Sequence, residues 1–159
     1  MKQALKMQLM TDIDHISRNI LRELTAVGRL SNIELAARVG LSPSACLRRV
    51  QELERRGIIR GYRARLDGRA LGLGFVAYIA VGLKTHTKRS QESFEQAMAA
   101  SSAVVECHNV TGTVEYLLRV EVADITAYKH FHTDVLGALP QVAAITSYVV
   151  LGSPKDARA

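Results

Sequence analysis

Residues 31–57, SNIELAARVGLSPSACLRRVQELERRG, constrain the fold more than any other part of the chain. Ser31 followed three residues later by Glu34 is a capping box, so a helix starts there. Leu35, Ala36 and Val39 give it a short apolar stripe, and Gly40 suits the left-handed residue that ends a helix. Ser42-Pro43 restarts a helix, with Ser42 as N-cap and Pro43 at the first helical position, where a missing N–H costs nothing. Gly57 closes it. At helical spacing Cys46, Leu47, Val50 and Leu53 share one broad side, which must be buried. Ser44, Arg48, Gln51 and Arg55 fall on a narrow stripe roughly opposite, flanked by Arg49 and Arg56.

Two short helices joined by a tight turn, the second with arginines along its outer face, suit insertion into the DNA major groove. Arginine and glutamine make paired hydrogen bonds to guanine and adenine edges. The expected contact set is Ser42, Pro43, Ser44, Arg48, Arg49, Gln51 and Arg55. Arg48 and Gln51 would read bases, while Ser42, Ser44, Arg49, Arg55 and the arginines that follow the helix would mostly hold phosphates. The competing reading is a plain surface helix whose arginines are solvated or paired with Glu52 and Glu54. Agreement of caps, turn and charge favours DNA.

Charge supports this division. Residues 1–73 hold 14 Lys and Arg against 7 Asp and Glu, whereas residues 74–159 hold 7 against 8. A basic first half and a near-neutral second half describe a polyanion-binding module joined to something else. The densest basic run is Arg48, Arg49, Arg55, Arg56, Arg60, Arg63, Arg65 and Arg69. The two cysteines, Cys46 and Cys107, form no CxxC pair and fit a reducing compartment, with Cys46 facing the core. No apolar run reaches the roughly 18 residues of a membrane span. A cytoplasmic protein is expected.

A first helix is expected over about 12–27, capped by Asp12 and ended by Gly28. Ile13, Ile16, Ile20, Leu21, Leu24 and Val27 recur at helical spacing in it. Ile58-Ile59 and Tyr62 to Leu66 read as a short strand pair across Arg60-Gly61, a small basic wing. The expected domains are therefore residues 1–66, a glycine-rich flexible linker over 67–74 (DGRALGLG), and residues 75–159. The GLG in that linker lacks the spacing and context of a dinucleotide fingerprint.

The second half alternates strand and helix. Strands are expected at Phe75–Lys84, Val104–Thr111, Glu115–Val122 and Ala144–Leu151, and helices at Ser90–Ala100 and Asp124–Leu136. On the second helix Ile125, Tyr128, Phe131, Val135 and Leu136 would face inward. This order is the ferredoxin-like βαββαβ arrangement, so the fold class is α+β. Both helices on one face of the sheet leave the other face to be covered, which argues for self-association. The last seven residues, SPKDARA, read as a frayed tail.

No enzyme signature emerges. His15, His86, His108, His130 and His132 show no metal-ligand spacing, and no nucleophile–base pair is present, so neither metal nor cofactor is expected. An enzymatic role would rest on fold analogy alone. In the turn Thr111-Gly112-Thr113-Val114, successive N–H groups could hold a carboxylate, and Glu115 an ammonium, as for an amino acid. From the residues alone, a simple hairpin turn with a solvated glutamate is the stronger reading.

Four segments, IDHISRNILREL, GRLSNIELAARVGLSPSACLRRVQELERRGIIRGY, ECHNVTGTVEYLLRVEVADITAY and LPQVAAITSYVVL, run from about Ile13 to Leu151. With them the chain resembles the leucine-responsive regulatory protein/AsnC, or feast/famine, family of prokaryotic transcription regulators. The resemblance implies a winged helix-turn-helix, with its motif at about 32–51, and a ferredoxin-like domain. It also implies dimers that assemble into tetramers or octamers on double-stranded DNA, with nucleoid association. An effector, usually an amino acid, would bind between dimers near Gly112, Thr113, Val114, Glu115, Ile125, Tyr148, Val149 and Val150. The family turn commonly reads Gly-Asp-aromatic-Asp. Here it is Gly112-Thr113-Val114-Glu115, so specificity for leucine is not carried over and the ligand stays open. An effector-independent architectural DNA binder is the alternative that this departure supports.

Overall fold

The computed structural model describes residues 13–156, and the chain divides into two compact units at Arg65/Leu66. In the first unit, α1 runs His15–Ala26, α2 Asn32–Val39 and α3 Pro43–Arg55. The observed cap of α1 is Asp14, whose side chain accepts from the Ser17 N–H. The expected cap, Asp12, lies outside the described residues, as do the last three residues of the tail. At α2 both halves of the capping box form: Ser31 Oγ accepts from the Glu34 N–H and Glu34 accepts from the Ser31 N–H. Gly40 ends α2 at φ +70°, where a side chain would be strained. Ser42 caps α3 with Pro43 in its first turn.

Ile20, Leu35, Ala36, Cys46 and Leu53 form the buried centre of this unit. One face assignment changes. Leu47, expected inward, is 46% exposed, and Arg49 takes the more inward place. The burial arc of α3 is therefore rotated away from Leu47 and centred on Cys46 and Leu53.

The expected strand pair after α3 does not form: no strand lies between Arg56 and Gly74. The N–H groups of Ile58 and Ile59 both turn back onto the Leu53 carbonyl, at 2.9 and 3.2 Å, and so cannot enter a ladder. Both side chains pack against the helical core instead. A two-residue hairpin over Arg60-Gly61 with both central residues at positive φ is also absent, since among the described residues only glycines have positive φ.

The second unit is a four-stranded antiparallel sheet in the order β2-β3-β1-β4. Its strands are β1 Phe75–Leu83, β2 Val104–Asn109, β3 Tyr116–Val122 and β4 Val142–Val149. Helix α4, Lys88–Ala100, joins β1 to β2. Helix α5, Ile125–His130, joins β3 to β4 and continues as a π turn over Phe131–Leu136. Alternation decides the faces. Ala77, Ile79, Val81 and Leu83 of β1 and Tyr116, Leu118, Val120 and Val122 of β3 meet Phe94, Met98, Tyr128, Phe131 and Leu136 from the helices. Phe94 and Tyr116 stack at 4.6 Å between ring centroids. The Tyr116 hydroxyl donates to Glu95 at 2.8 Å; burial, then that bond, raises it to about 12. Ile125, expected inward, is 60% exposed at the start of α5.

The stretch expected to be a flexible linker is a hydrogen-bonded turn within this second unit. Asp67 accepts from the N–H groups of Arg69 and Ala70, and the Leu73 N–H reaches the Gly68 carbonyl at 2.7 Å.

Candidate DNA interface and effector site

The contact between α2 and α3 is clamped by Asn32, whose amide donates to the Pro43 carbonyl at 2.8 Å. On α3 the expected contact residues separate into different situations. Ser42, Pro43, Ser44, Arg48, Gln51 and Arg55 are all exposed, and Ser44, Arg48, Gln51 and Arg55 share one stripe at helical spacing. Ser42 and Ser44 place their hydroxyls 3.3 Å apart at the N-terminus of α3. Arg48 holds no ion pair or hydrogen bond among the described residues. Arg55 lies on Glu52 at 2.6 and 2.8 Å, the pairing that a solvated surface helix would also make.

Arg49 is different. One of its terminal nitrogens donates to Asp14 at 2.7 Å and to the buried Ser17 hydroxyl at 3.2 Å. It braces α3 onto the start of α1 from within the unit. The sequence carries no signal for this pair, because the partners are 35 positions apart. What α3 presents outward is a polar stripe of Ser, Arg and Gln on a rigidly capped helix, the chemistry that base edges and phosphates require.

In the second unit the turn expected to meet the effector lies between β2 and β3, with Gly112 at φ +140°. Among the described residues, the N–H groups from Thr111 to Val114 donate to no backbone carbonyl. Glu115 is not a solvated glutamate; its side chain is 16% exposed. One carboxylate oxygen accepts from the Leu83 N–H at 2.6 Å, and the other lies 3.2 Å from His86 Nδ1. Sequence reasoning did not find His86 or this latch, since nothing local links position 86 to position 115.

The other residues expected at the effector site lie elsewhere. The Glu115 N–H bonds the Val81 carbonyl, while Val149 pairs with Ala77 and the Val150 N–H bonds Val76. Ile125 follows β3 where Val122 pairs with Phe75. The turn and the group Ile125, Tyr148, Val149 and Val150 therefore sit at opposite ends of β1. Four or more residues of strand separate them, roughly 13 Å or more. Within one chain they do not converge. Tyr148 and Val149 are 58% and 45% exposed. No group of three or more His, Cys, Asp or Glu among the described residues is arranged to hold a metal ion. No described helix is long and apolar enough to cross a membrane.

A capped helix with a polar outer stripe in one unit and a sheet with an exposed inter-strand turn in another fit a DNA-binding regulator with a ligand-binding domain, and the comparisons with known proteins agree. Residues 13–60 match the winged helix-turn-helix DNA-binding family and residues 76–159 the Lrp/AsnC ligand binding domain. The leucine-responsive regulatory protein of Escherichia coli K12 is 41% identical over 145 residues, covering 91% of this chain and 88% of that protein. A transcriptional regulator from Neisseria meningitidis, solved as its L-Met complex, superposes with a TM-score of 0.87 at 37% identity, covering 91% of this chain and 94% of that one. An AsnC family regulator from Agrobacterium tumefaciens gives 0.85 at 30% identity over 91% and 94%. The chain belongs to the Lrp/AsnC family of transcriptional regulators.

Proposed function

We propose that α3 reads operator DNA through Arg48 and Gln51, with Ser42, Ser44 and Arg55 on phosphates and Pro43 at the groove edge. Arg49 supports the helix from behind, with its remaining N–H groups available to the backbone. The division of labour among the α3 arginines carries this reading: Arg49 is held by Asp14 and Ser17, while Arg48 has no partner among the described residues. Residues 1–66 act as the DNA-binding domain and 75–159 as the effector and assembly domain, with the segment 67–74 between them. The test is selection of duplexes from a random pool, followed by Arg48→Ala. Loss of preference at one base position, about 1–3 kcal/mol, is expected. Unchanged base preference moves the reading role to another residue.

The effector is an amino acid or a close relative, held between dimers. The turn Gly112–Glu115 comes from one chain and Ile125, Tyr148, Val149 and Val150 from another. The L-Met complex of the Neisseria relative supports the ligand class. The separation of the two residue groups along β1 supports a shared site. The sheet face that carries Tyr78, Leu117 and Tyr148, all partly exposed, is the surface for a second copy. Dimers then build tetramers or octamers on the nucleoid, and the effector acts by binding one assembly better than another. A thermal-shift panel of the twenty amino acids tests this. A ligand at 100 times its Kd adds about 2.7 kcal/mol, a shift of several degrees.

A second reading, an architectural DNA binder without effector, draws on one observation. The Glu115 carboxylate is already engaged by Leu83 and His86. A flat panel together with an oligomer distribution that ignores every amino acid favours it.

A further inference from the structure

The turn over 111–114 offers donors and no acid. The N–H groups of Thr111, Gly112, Thr113 and Val114 donate to no protein group among the described residues. Successive free N–H groups in a turn suit a carboxylate. The acid beside them, Glu115, is engaged inside the protein. One oxygen accepts from the Leu83 N–H at 2.6 Å, the other lies 3.2 Å from His86 Nδ1, and the side chain is 16% exposed. From Leu83 the chain passes Glu115 and enters α4 through Lys84, His86, Lys88 and Arg89, with no acid among residues 84–89. The group proposed to come from a second chain, Ile125, Tyr148, Val149 and Val150, is uncharged. Asp124, next to Ile125, accepts from the Ala127 N–H at 2.8 Å as the cap of α5.

We infer that the ligand of this turn is a carboxylate without an α-ammonium, a 2-oxo acid in place of a 2-amino acid. The inference rests on the effector site proposed above and names its ligand class. Both kinds of acid carry the carboxylate that the turn N–H groups take. They differ at the next carbon. An ammonium there is stripped of water among donors and cations, which costs free energy unless an acid pairs with it. Glu115 is the nearest such acid, and turning it to the ligand leaves the Leu83 N–H without its acceptor. The position that is commonly Asp in the family turn is Thr113 here, so no second acid stands in for Glu115. An oxo group carries no charge and only accepts hydrogen bonds, which matches a surface of donors. Amino-group transfer or oxidative deamination is the class of reaction that supplies such an acid.

The experiment titrates the full chain by calorimetry with pairs of acids that share a side chain. The pairs are leucine and 4-methyl-2-oxopentanoate, methionine and 4-methylthio-2-oxobutanoate, alanine and pyruvate, and glutamate and 2-oxoglutarate. In every pair that binds, the oxo acid is expected to bind at least about tenfold tighter than the amino acid. Thr113→Asp places an acid in the exposed turn. It should weaken oxo-acid binding about tenfold and favour the amino acid, and a melting curve checks the fold. An amino acid that binds as tightly as its oxo acid, or tighter, overturns the inference and leaves the effector site standing. Oxo-acid binding that Thr113→Asp leaves unchanged puts the ligand away from this turn and overturns it as well. If no member of any pair binds, the effector site and the inference fall together, and the architectural reading stands.

Discussion

The Arg49 guanidinium lies 2.7 Å from the Asp14 carboxylate and ties α3 to the cap of α1. Asp14 thus does two jobs. One oxygen caps α1 through the Ser17 N–H at 2.8 Å, and the other holds α3 through Arg49.

Asp14 gives the first unit an acid-sensitive joint. The Ser17 backbone N–H first, then the Ser17 side chain and Arg49, lower its carboxyl from 3.8 to about 2. A folded value below the unfolded one means that the contribution is complete above pH ~4 and is lost as pH falls towards 2. Asp14→Ala should cost about 0.5–2 kcal/mol at neutral pH, the usual worth of a cap. Urea unfolding at pH 7 and pH 3 measures both effects. The deficit of the variant relative to the parent should shrink at pH 3, and a deficit independent of pH would refute the acid-sensitive joint.

Glu52 should restrain DNA affinity. It pairs with Arg55 at 2.6 Å, and Arg55 first, by hydrogen bond, lowers its carboxyl. Glu52→Gln removes a negative charge from the side of α3 proposed to face DNA and frees Arg55. Non-specific affinity should rise and the salt slope steepen by about one unit. The unfolding midpoint should barely move, because exposed ion pairs contribute little to stability. Filter binding across a salt series reads the outcome, and a flatter slope would count against Arg55 as a phosphate ligand.

Glu115 should be structural before it is anything else. Glu115→Ala leaves the Leu83 N–H without its acceptor, at a cost of about 1–3 kcal/mol. Glu115→Gln keeps an amide oxygen for that N–H and should lose less. His86→Ala, which removes an exposed ring, should lose least. Denaturant unfolding of the three variants gives the ranking; His86→Ala as costly as Glu115→Ala would reverse the assignment.

Gly40 should tolerate no side chain cheaply. Its φ of +70° belongs to the left-handed region, so Gly40→Ala should cost about 1 kcal/mol or more. Nothing within 4 Å would meet the added Cβ, so the loss is backbone strain and not a clash. Core base preference should be retained, because the side chains on α3 are untouched. A thermal melt with a selection experiment separates the two.

Some of this molecule was legible along the chain. Ser31, Glu34, Gly40, Ser42 and Pro43 announced two helices and their ends because each cap closes within three or four residues. The alternation Tyr116, Leu118, Val120, Val122 announced β3 and its buried face by the same local logic. The wing pair was misread because β-branched residues at 58–59 signal a strand and a core contact equally, and the Leu53 carbonyl captured their N–H groups. Leu47 was misread because a helical wheel gives an apolar arc but not where the neighbouring helices lie against it.

The sequence by itself determined the alphabet of elements, the α+β class, the basic character of the first half and the polar stripe on α3. These follow from periodicity, capping and charge, which act over a turn of helix or a few residues of strand. Only the tertiary structure decided that Arg49 braces while Arg48 has no partner among the described residues, and that Glu115 is latched by Leu83 and His86. It also decided that the turn at Gly112 and the group at Tyr148 lie at opposite ends of β1. Those outcomes depend on strand register and helix packing between residues tens of positions apart, where many pairings compete and burial selects one.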